Sequence, residues 1–384
     1  MSVSLPDGDL TLSGAGAEFA APGRPFTSRV AYAAAHVVAD PRADNVPGAP
    51  PALDWEATLA FRRHLWAHGF GVAEAMDTAQ RGMGLDYATA RVLVRRSARA
   101  ARAAGGAIVA GVATDQLAPG PATLDEIRKA YAEQLADTQE SGATPVLMCS
   151  RHLAAAARSV DDYLRVYGEL IGDADRPVVL HWLGPAFDPA LAGYWGDTDP
   201  LRAIDTVVGL IEAHAGKVDG IKLSLLDEDL EVALRRRLPA GVRMYTGDDF
   251  NYPALIRGDG VSHSDALLGV FAAVAPPAAA ALRALDEGDL AAYDRILAPT
   301  LPLARHLFGA PTYYYKTGIV FLAWLAGHQD HFTMVGGLQS GRSPRHLARL
   351  VRLADAAGLL PDADLAAHRV RAWATTVGAG GGPA

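Results

Sequence analysis

Cysteine and lysine are scarce in this chain. Its 384 residues include one cysteine, Cys149, and its 35 basic residues include four lysines. A single cysteine excludes an intrachain disulfide framework and a thiolate zinc site. Arginine is used almost wherever a positive charge suffices, so each remaining lysine is a candidate for chemistry that needs an amine. The four are Lys129, Lys217, Lys222 and Lys316.

Clustered positive charge and long apolar runs are also missing. Asp and Glu number 43 against 35 Lys and Arg, a formal net charge of −8, which argues against a nucleic-acid groove. No apolar run approaches the roughly 18 residues of a membrane span. The first ten residues lack the basic and apolar regions of a secretory signal. We therefore expect a cytoplasmic protein with neither nucleic-acid nor membrane partners.

Short apolar runs alternate with segments of helical period along most of the chain. The runs cover 30–38, 69–75, 107–112, 144–149, 177–182, 218–223, 242–246 and 258–263. Eight strand–helix units over about 235 residues match the size of a (β/α)8 TIM barrel. A doubly wound sheet is the competing architecture, but it would usually carry a glycine-rich fingerprint after its first strand. The first run here continues into His36-Val-Val-Ala-Asp-Pro, which has none.

The strand signals stop near residue 276, and the remaining segments have helical period. We predict three parts: an N-terminal arm over 1–27, a (β/α)8 barrel over 28–275, and a C-terminal helical extension over 276–384 that packs on the barrel.

Polar residues follow most of the predicted strands. In barrels of this kind the chemistry lies at the carboxyl ends of the strands, so these side chains predict a site at one mouth. They are His36, Glu74, Asp77, Thr78, Asp115, Cys149, Arg151, His152, His181, Trp182, Lys222, Ser224, Asp248, Asp249, Ser262 and His263.

Lys222 is the most specific of these candidates. It ends the sixth predicted strand among apolar neighbours, and desolvation lowers a lysine pKa and exposes a nucleophilic amine. A Schiff base with a substrate ketone would then act as an electron sink. The structural alternative is a salt bridge to an acidic strand end such as Asp248.

Two motifs around this lysine carry a family resemblance. Gly220-Ile-Lys222 and Tyr245-Thr-Gly-Asp-Asp249 resemble the dihydrodipicolinate synthase / N-acetylneuraminate lyase superfamily. Weaker matches extend the resemblance over about residues 28–360, among them Gly258-Asp-Gly-Val261 at the eighth strand. The resemblance implies a (β/α)8 barrel with a C-terminal helical domain, a Schiff-base lysine at position 222, no cofactor, and a homo-oligomer of two or four subunits.

The chain departs from the family at the second and fifth strands. The family holds the pyruvate carboxylate with a GTTGE-like motif, whose counterpart here is Asp77-Thr-Ala-Gln-Arg81. Thr78 keeps one hydroxyl, and we expect Arg81 to lie on the surface. Where the family has a proton-relaying tyrosine, this chain has His181, which can act as acid or base near neutral pH. A register slip of one residue would replace it in the site by Trp182.

The sequence thus predicts a divergent class I lyase, aldolase or dehydratase that acts on a keto acid or a sugar-derived keto substrate. Lys222 would form the imine, and His181 with Thr78 would transfer protons. The substrate-binding candidates are Asp77, Asp248, Asp249, Ser262 and His263.

Two other functions remain open at this level. One is a metal-dependent barrel aldolase or isomerase, whose candidate ligands are His36, Glu74, Asp77, His152, His181 and His263. No HxH or HExxH spacing supports it. The other is a non-catalytic barrel that binds a sugar acid.

Overall fold

A closed barrel of eight parallel strands forms the centre of the protein. The structure, a computed structural model, describes residues 1–19, 24–76 and 81–378. A hairpin of β1 (Ser2–Leu5) and β2 (Gly8–Thr11) precedes the barrel. The barrel strands are β3 (Ala31–Ala34), β4 (Gly71–Glu74), β5 (Ile108–Val112), β6 (Thr144–Leu147), β7 (Val178–Leu183), β8 (Val218–Ser224), β9 (Arg243–Thr246) and β10 (Asp265–Leu268).

Helices connect consecutive strands and cover the outside of the barrel. They are α1 (Trp55–Ala67), α2 (Tyr87–Ala104), α3 (Leu124–Ser141), α4 (Arg151–Ala156), α5 (Val160–Asp173), α6 (Pro200–Ala213), α7 (Glu228–Arg235) and α8 (Tyr252–Arg257). Each strand pairs with the next, and β10 closes the barrel by pairing with β3. The predicted (β/α)8 fold is confirmed.

Side-chain alternation along each strand separates two apolar layers. A cluster inside the barrel contains Val179 of β7 and Tyr245 of β9, whereas Ile221 and Leu223 of β8 pack in the outer cluster with the helices. Successive strand residues point to opposite faces. A residue in the inner cluster therefore shows which side of its strand faces the barrel axis.

The eighth strand does not lie where the sequence predicted it. Residues 258–263 form a turn in which the Asp259 carboxylate accepts hydrogen bonds from the main-chain N–H groups of Val261 and Ser262 at 3.0 and 2.8 Å. Gly258 and Gly260 have φ of +82° and +83°, values that favour glycine and are incompatible with a regular strand. The strand begins only at Asp265, so the match to Gly258-Asp-Gly-Val261 was misleading.

Between β10 and residue 378, the described chain forms six α-helices: α9 (Phe271–Asp286), α10 (Leu290–Leu297), α11 (Thr300–Leu307), α12 (Tyr315–Leu325), α13 (Pro344–Ala356) and α14 (Ala363–Thr376). The boundary predicted between 275 and 276 falls inside α9, which follows β10 directly. The N-terminal hairpin packs on the last helices, since Arg371 of α14 donates to the main-chain oxygen of Ser2 at 2.7 Å. Among the described residues, no helix is long and apolar enough to cross a membrane.

Candidate active site

Lys222 lies near the carboxyl end of β8 and faces the barrel axis. Its neighbours Ile221 and Leu223 pack outward, so alternation turns the lysine inward. The residue is only 7% exposed. The lysine side chain is therefore shielded from water at the barrel mouth, where barrel enzymes place their chemistry.

His181 is the β7 partner of Lys222 in the strand register. Because Val179 belongs to the interior cluster, His181 two residues later also faces the axis, while Trp182 packs outward. Its Nε2 lies 3.2 Å from the hydroxyl oxygen of Ser224. Complete burial, followed by the charge of Lys222, holds the pKa of His181 well below its usual range. The imidazole is therefore neutral near pH 7 and able to accept a proton.

Gly247 leaves space for the side chain of Lys222. A Cβ at this position would lie 2.7 Å from Cε of Lys222 and 2.1 Å from Oγ of Ser224. The main-chain N–H of Gly247 also donates to the oxygen of Leu223 at 2.8 Å, so the turn after β9 is tied directly to β8. Only a residue without a side chain fits this close approach.

The two aspartates after β9 have different surroundings. Asp248 accepts hydrogen bonds from the N–H groups of Phe250 and Asn251 and from the Asn251 amide, so its carboxylate shapes its own turn. Asp249 accepts one from the N–H of Val270 at 2.8 Å. Burial raises the pKa of Asp249 to about 7, although that hydrogen bond and the ammonium of Lys222 oppose the shift.

A second lysine enters the same mouth from the C-terminal helices. Lys316 of α12 is 2% exposed, and its Nζ donates to the main-chain oxygen of Ala34 at the end of β3. Burial lowers the pKa of Lys316 to about 7; Arg62 lowers it further and Asp249 opposes the change. Lysine scarcity had marked Lys316 as a candidate for amine chemistry, but no strand-end position or motif predicted that it would enter this site.

A buried ion pair lies beneath this end of the barrel. Arg62 of α1 donates to both carboxylate oxygens of Glu74 at 2.9 and 2.7 Å, and Ser97 of α2 donates to the same carboxylate at 2.6 Å. Both charged side chains are fully buried. Glu74 therefore links β4 to helices α1 and α2. Its side chain does not face the barrel axis, where a metal ligand would have to lie.

His36 follows β3 next to this ion pair. Its Nε2 lies 2.9 Å from Oε1 of Gln329, and its main-chain oxygen accepts a hydrogen bond from Arg62. Complete burial, together with the charges of Lys316 and Arg62, holds the pKa of His36 well below its usual range. The side chain is neutral and joins the barrel to the segment after α12.

Two further pairs of predicted site residues meet different outcomes. Ser262 and His263 precede β10, so they lie at the opposite end of the barrel from Lys222, and their predicted substrate-binding role is wrong. Ser262 accepts a hydrogen bond there from Arg235 at 3.0 Å. Asp77 and Thr78 lie outside the described residues.

Arg81 is buried, contrary to the expected surface position. Its guanidinium forms a bidentate ion pair with Asp115 at 2.9 and 2.6 Å and donates to the main-chain oxygen of Gly111. Asp115 also accepts from Gln134 at 2.9 Å. Arg81 thus supports the end of β5, with its charge already matched by a carboxylate.

The remaining strand-end residues do not converge with Lys222 into a metal centre. His152 contacts the hydroxyl of Thr114 at 3.1 Å, and Arg151 pairs with Asp188. Within ranges 1–19, 24–76 and 81–378, no group of three or more His, Cys, Asp or Glu is placed to hold a metal ion.

The strand order defines a (β/α)8 barrel with a C-terminal helical region, and solved dihydrodipicolinate synthases share this fold. The enzyme from Aquifex aeolicus is 14% identical with a TM-score of 0.66, over 86% of this chain and 99% of that one. The Thermotoga maritima enzyme is 16% identical with a TM-score of 0.64, over 87% of this chain and 100% of that one. The Acinetobacter baumannii enzyme, solved with pyruvate, is 17% identical with a TM-score of 0.64, over 87% of this chain and 100% of that one.

The family assignment is more specific. A family model described as "Protein of unknown function (DUF993)" matches residues 6–379, so the chain belongs to that family. A comparison with curated proteins found no significant match. The resemblance to dihydrodipicolinate synthases is therefore confirmed as a shared fold.

Proposed function

We propose that the protein is a class I lyase that forms a Schiff base between Lys222 and a keto acid or a sugar-derived ketone. The observation that carries this proposal is the burial of Lys222 at the axis beside a neutral, axis-facing His181. A desolvated amine is a nucleophile, and a neutral imidazole at its side is a base. The shared fold with dihydrodipicolinate synthases supports the same reaction class.

The chemistry follows from these two side chains. The Lys222 amine adds to the substrate carbonyl, and loss of water leaves an iminium. His181 then removes a proton, from the carbon beside the iminium or from a substrate hydroxyl. Loss of a hydroxyl proton lets the adjacent carbon–carbon bond break: its electron pair moves to the iminium nitrogen, a carbonyl fragment leaves, and the remaining enamine takes the proton back from His181. Loss of a proton from the carbon beside the iminium gives the enamine directly, which then expels a hydroxyl from the next carbon; this hydroxyl takes the proton from His181 and leaves as water. Hydrolysis of the imine releases the product and returns the Lys222 amine. The Ser224 hydroxyl, 3.2 Å from His181 Nε2, fixes the direction in which the ring points.

Substrate binding in this proposal involves Asp249, whose carboxyl group is raised in pKa to about 7 and can therefore donate as well as accept hydrogen bonds. Asp248 contributes to substrate binding indirectly, because its hydrogen bonds to Phe250 and Asn251 hold the turn after β9 in shape. Asp77 and Thr78 keep their proposed roles in holding substrate and in proton transfer. We also propose that the subunits assemble into a dimer or tetramer.

Borohydride trapping tests the proposal. The protein is incubated with pyruvate, the ligand of the Acinetobacter baumannii structure, and with a panel of other keto acids and keto sugars, and is then reduced. We expect a mass adduct on the peptide that contains Lys222. The adduct should be lost in Lys222→Arg and kept in Lys129→Arg, a change at an exposed lysine. Ligand binding without an adduct for any carbonyl would contradict the proposal and favour a non-catalytic binding barrel.

A further inference from the structure

A cavity of about 420 Å³ opens on the outside of the barrel between α7 and α8. Helices α10 and α11 border its other side, and none of its described lining residues belongs to a strand. Both barrel helices are short, with eight residues in α7 and six in α8, and short helices leave a gap beside them. The volume suits a small organic molecule, and the cavity is separate from the mouth that contains Lys222.

Carboxylates neutralise two of the three arginines that the structure describes in this lining. Arg235 pairs with Asp259 at 3.3 Å, and Arg257 pairs with Asp294 at 3.0 Å. Glu228 also lines the cavity, and it lies in the first turn of α7, where the positive end of the helix stabilises a carboxylate. These five charges are therefore compensated within the protein.

Arg305 of α11 is different. Its Nε donates to the main-chain oxygen of Phe250 at 3.2 Å and its Nη2 donates to Oδ1 of Asn251 at 3.3 Å, and both acceptors are neutral. The side chain is exposed, and no carboxylate in the described part of the chain pairs with it. A guanidinium has five N–H donors in a planar fork, so Arg305 keeps donors for an anionic group while it still holds its two neutral acceptors.

Apolar side chains form another part of the wall. Val232 of α7, Leu255 of α8 and Leu301 of α11 all line the cavity. A ligand with a hydrocarbon part gains free energy by covering such a surface. The lining thus combines one available cation with an apolar wall, which is the combination that holds a small organic anion in a fixed orientation.

We propose that this cavity is a binding site for a small organic anion. The carboxylate or phosphate group of the ligand pairs with Arg305, and its hydrocarbon part packs against Val232, Leu255 and Leu301. The inference concerns binding outside the barrel, and it stands or falls independently of imine formation at Lys222.

The bound anion is also connected to the turn after β9. Asn251 accepts a hydrogen bond from Arg305 and donates through its amide to Oδ2 of Asp248 at 2.9 Å. The Asp248 carboxylate in turn accepts from the main-chain N–H groups of Phe250 and Asn251. An anion that fixes the position of Arg305 therefore stabilises this turn as well.

Amide hydrogen exchange tests the location of the site in the wild-type protein. Butyl phosphate and butyrate carry the two anionic groups on the same hydrocarbon chain, and butyramide is the neutral control. At millimolar concentration and constant ionic strength, we expect one or both anions to slow exchange in peptides that cover 228–235, 250–257 and 300–307. Peptides from 344–356 should not change. Equal protection by butyramide, or no protection of the first three segments by either anion, overturns the inference.

Three variants test the residues, with affinity for the protecting anion measured by saturation-transfer NMR. Arg305→Gln should weaken binding about tenfold or more, because a hydrogen bond from a charged group is lost. Ala254→Phe changes an exposed residue of the lining, keeps every charge and should abolish binding by filling the cavity. Arg295→Gln, at an exposed arginine of α10 outside the lining, should keep the wild-type affinity.

The melting temperature of each variant shows whether the fold is kept. Wild-type affinity in either Arg305→Gln or Ala254→Phe contradicts the inference. An equal loss of affinity in Arg295→Gln and Arg305→Gln also contradicts it, because that result reflects the overall charge of the protein and not a site.

Discussion

His181 and Lys222 are partners in the register of two adjacent parallel strands, and both side chains face the barrel axis. The backbone hydrogen bonds between β7 and β8 therefore fix the distance between a neutral imidazole and an amine. A pair held in this way needs no movement of a loop to meet.

Replacing His181 by Phe should separate imine formation from proton transfer. We expect trapping of pyruvate on Lys222 to continue, since the amine remains. The exchange of pyruvate methyl hydrogens with deuterated water needs a base and should slow by about 10²-fold or more. Proton NMR measures the exchange. Equal exchange in the wild type and in His181→Phe would show that another group is the base.

Replacing Gly247 by Ala should disable the site by crowding. The new Cβ would meet Oγ of Ser224 at 2.1 Å and the main-chain oxygen of Leu223 at 2.7 Å, and the latter cannot rotate away. We expect trapping at Lys222 to be lost and the melting temperature to fall. Gly209→Ala in α6 is the matched control: its Cβ meets nothing within 4 Å, so it should leave trapping unchanged and stabilise the helix by about 0.5–1 kcal/mol.

Removing one partner of the Arg62–Glu74 ion pair should lower the stability of the protein strongly. Glu74→Gln leaves a fully buried guanidinium without its counter-charge, at a cost of about 3–5 kcal/mol in the free energy of unfolding. Urea denaturation measures this loss. The exposed pair Arg202–Asp197 provides the comparison, and Arg202→Met should cost only about 0–1 kcal/mol. Similar losses for both variants would refute the argument.

A cluster of three histidines should make the protein sensitive to mild acid. The rings of His64 and His328 lie 4.2 Å apart, and those of His64 and His68 lie 4.5 Å apart. Burial lowers the pKa of His64 to about 3 and that of His328 to about 4. The unfolded chain binds these protons near pH 6.5 and the folded chain does not, so stability is lost as pH falls from about 6.5 towards 4.

The variant His64→Gln should reduce this loss. We expect its melting temperature to fall less between pH 7.5 and pH 5 than that of the wild type. His368→Gln, which changes an exposed histidine in α14, should follow the wild-type curve. Identical pH dependence in His64→Gln and the wild type would show that the cluster is not responsible.

The sequence by itself determined the fold class and the place of seven of the eight barrel strands. Local hydrophobic period distinguishes strand from helix, and the capping residues mark helix starts, as with Thr123, whose hydroxyl accepts from the N–H of Glu126. The sequence also singled out Lys222 and His181, but it left open whether His181 or Trp182 faces the barrel axis. These properties depend on neighbours within a few residues.

The tertiary structure decided which distant residues meet. Closure of the barrel brought Lys316 of the C-terminal helices beside the oxygen of Ala34, and it buried Arg81 against Asp115. It also placed Ser262 and His263 at the far end, because a turn built on Asp259 begins where an apolar run had predicted a strand. Period and spacing report local geometry, whereas charge pairing and burial depend on contacts that exist only once the chain has closed on itself.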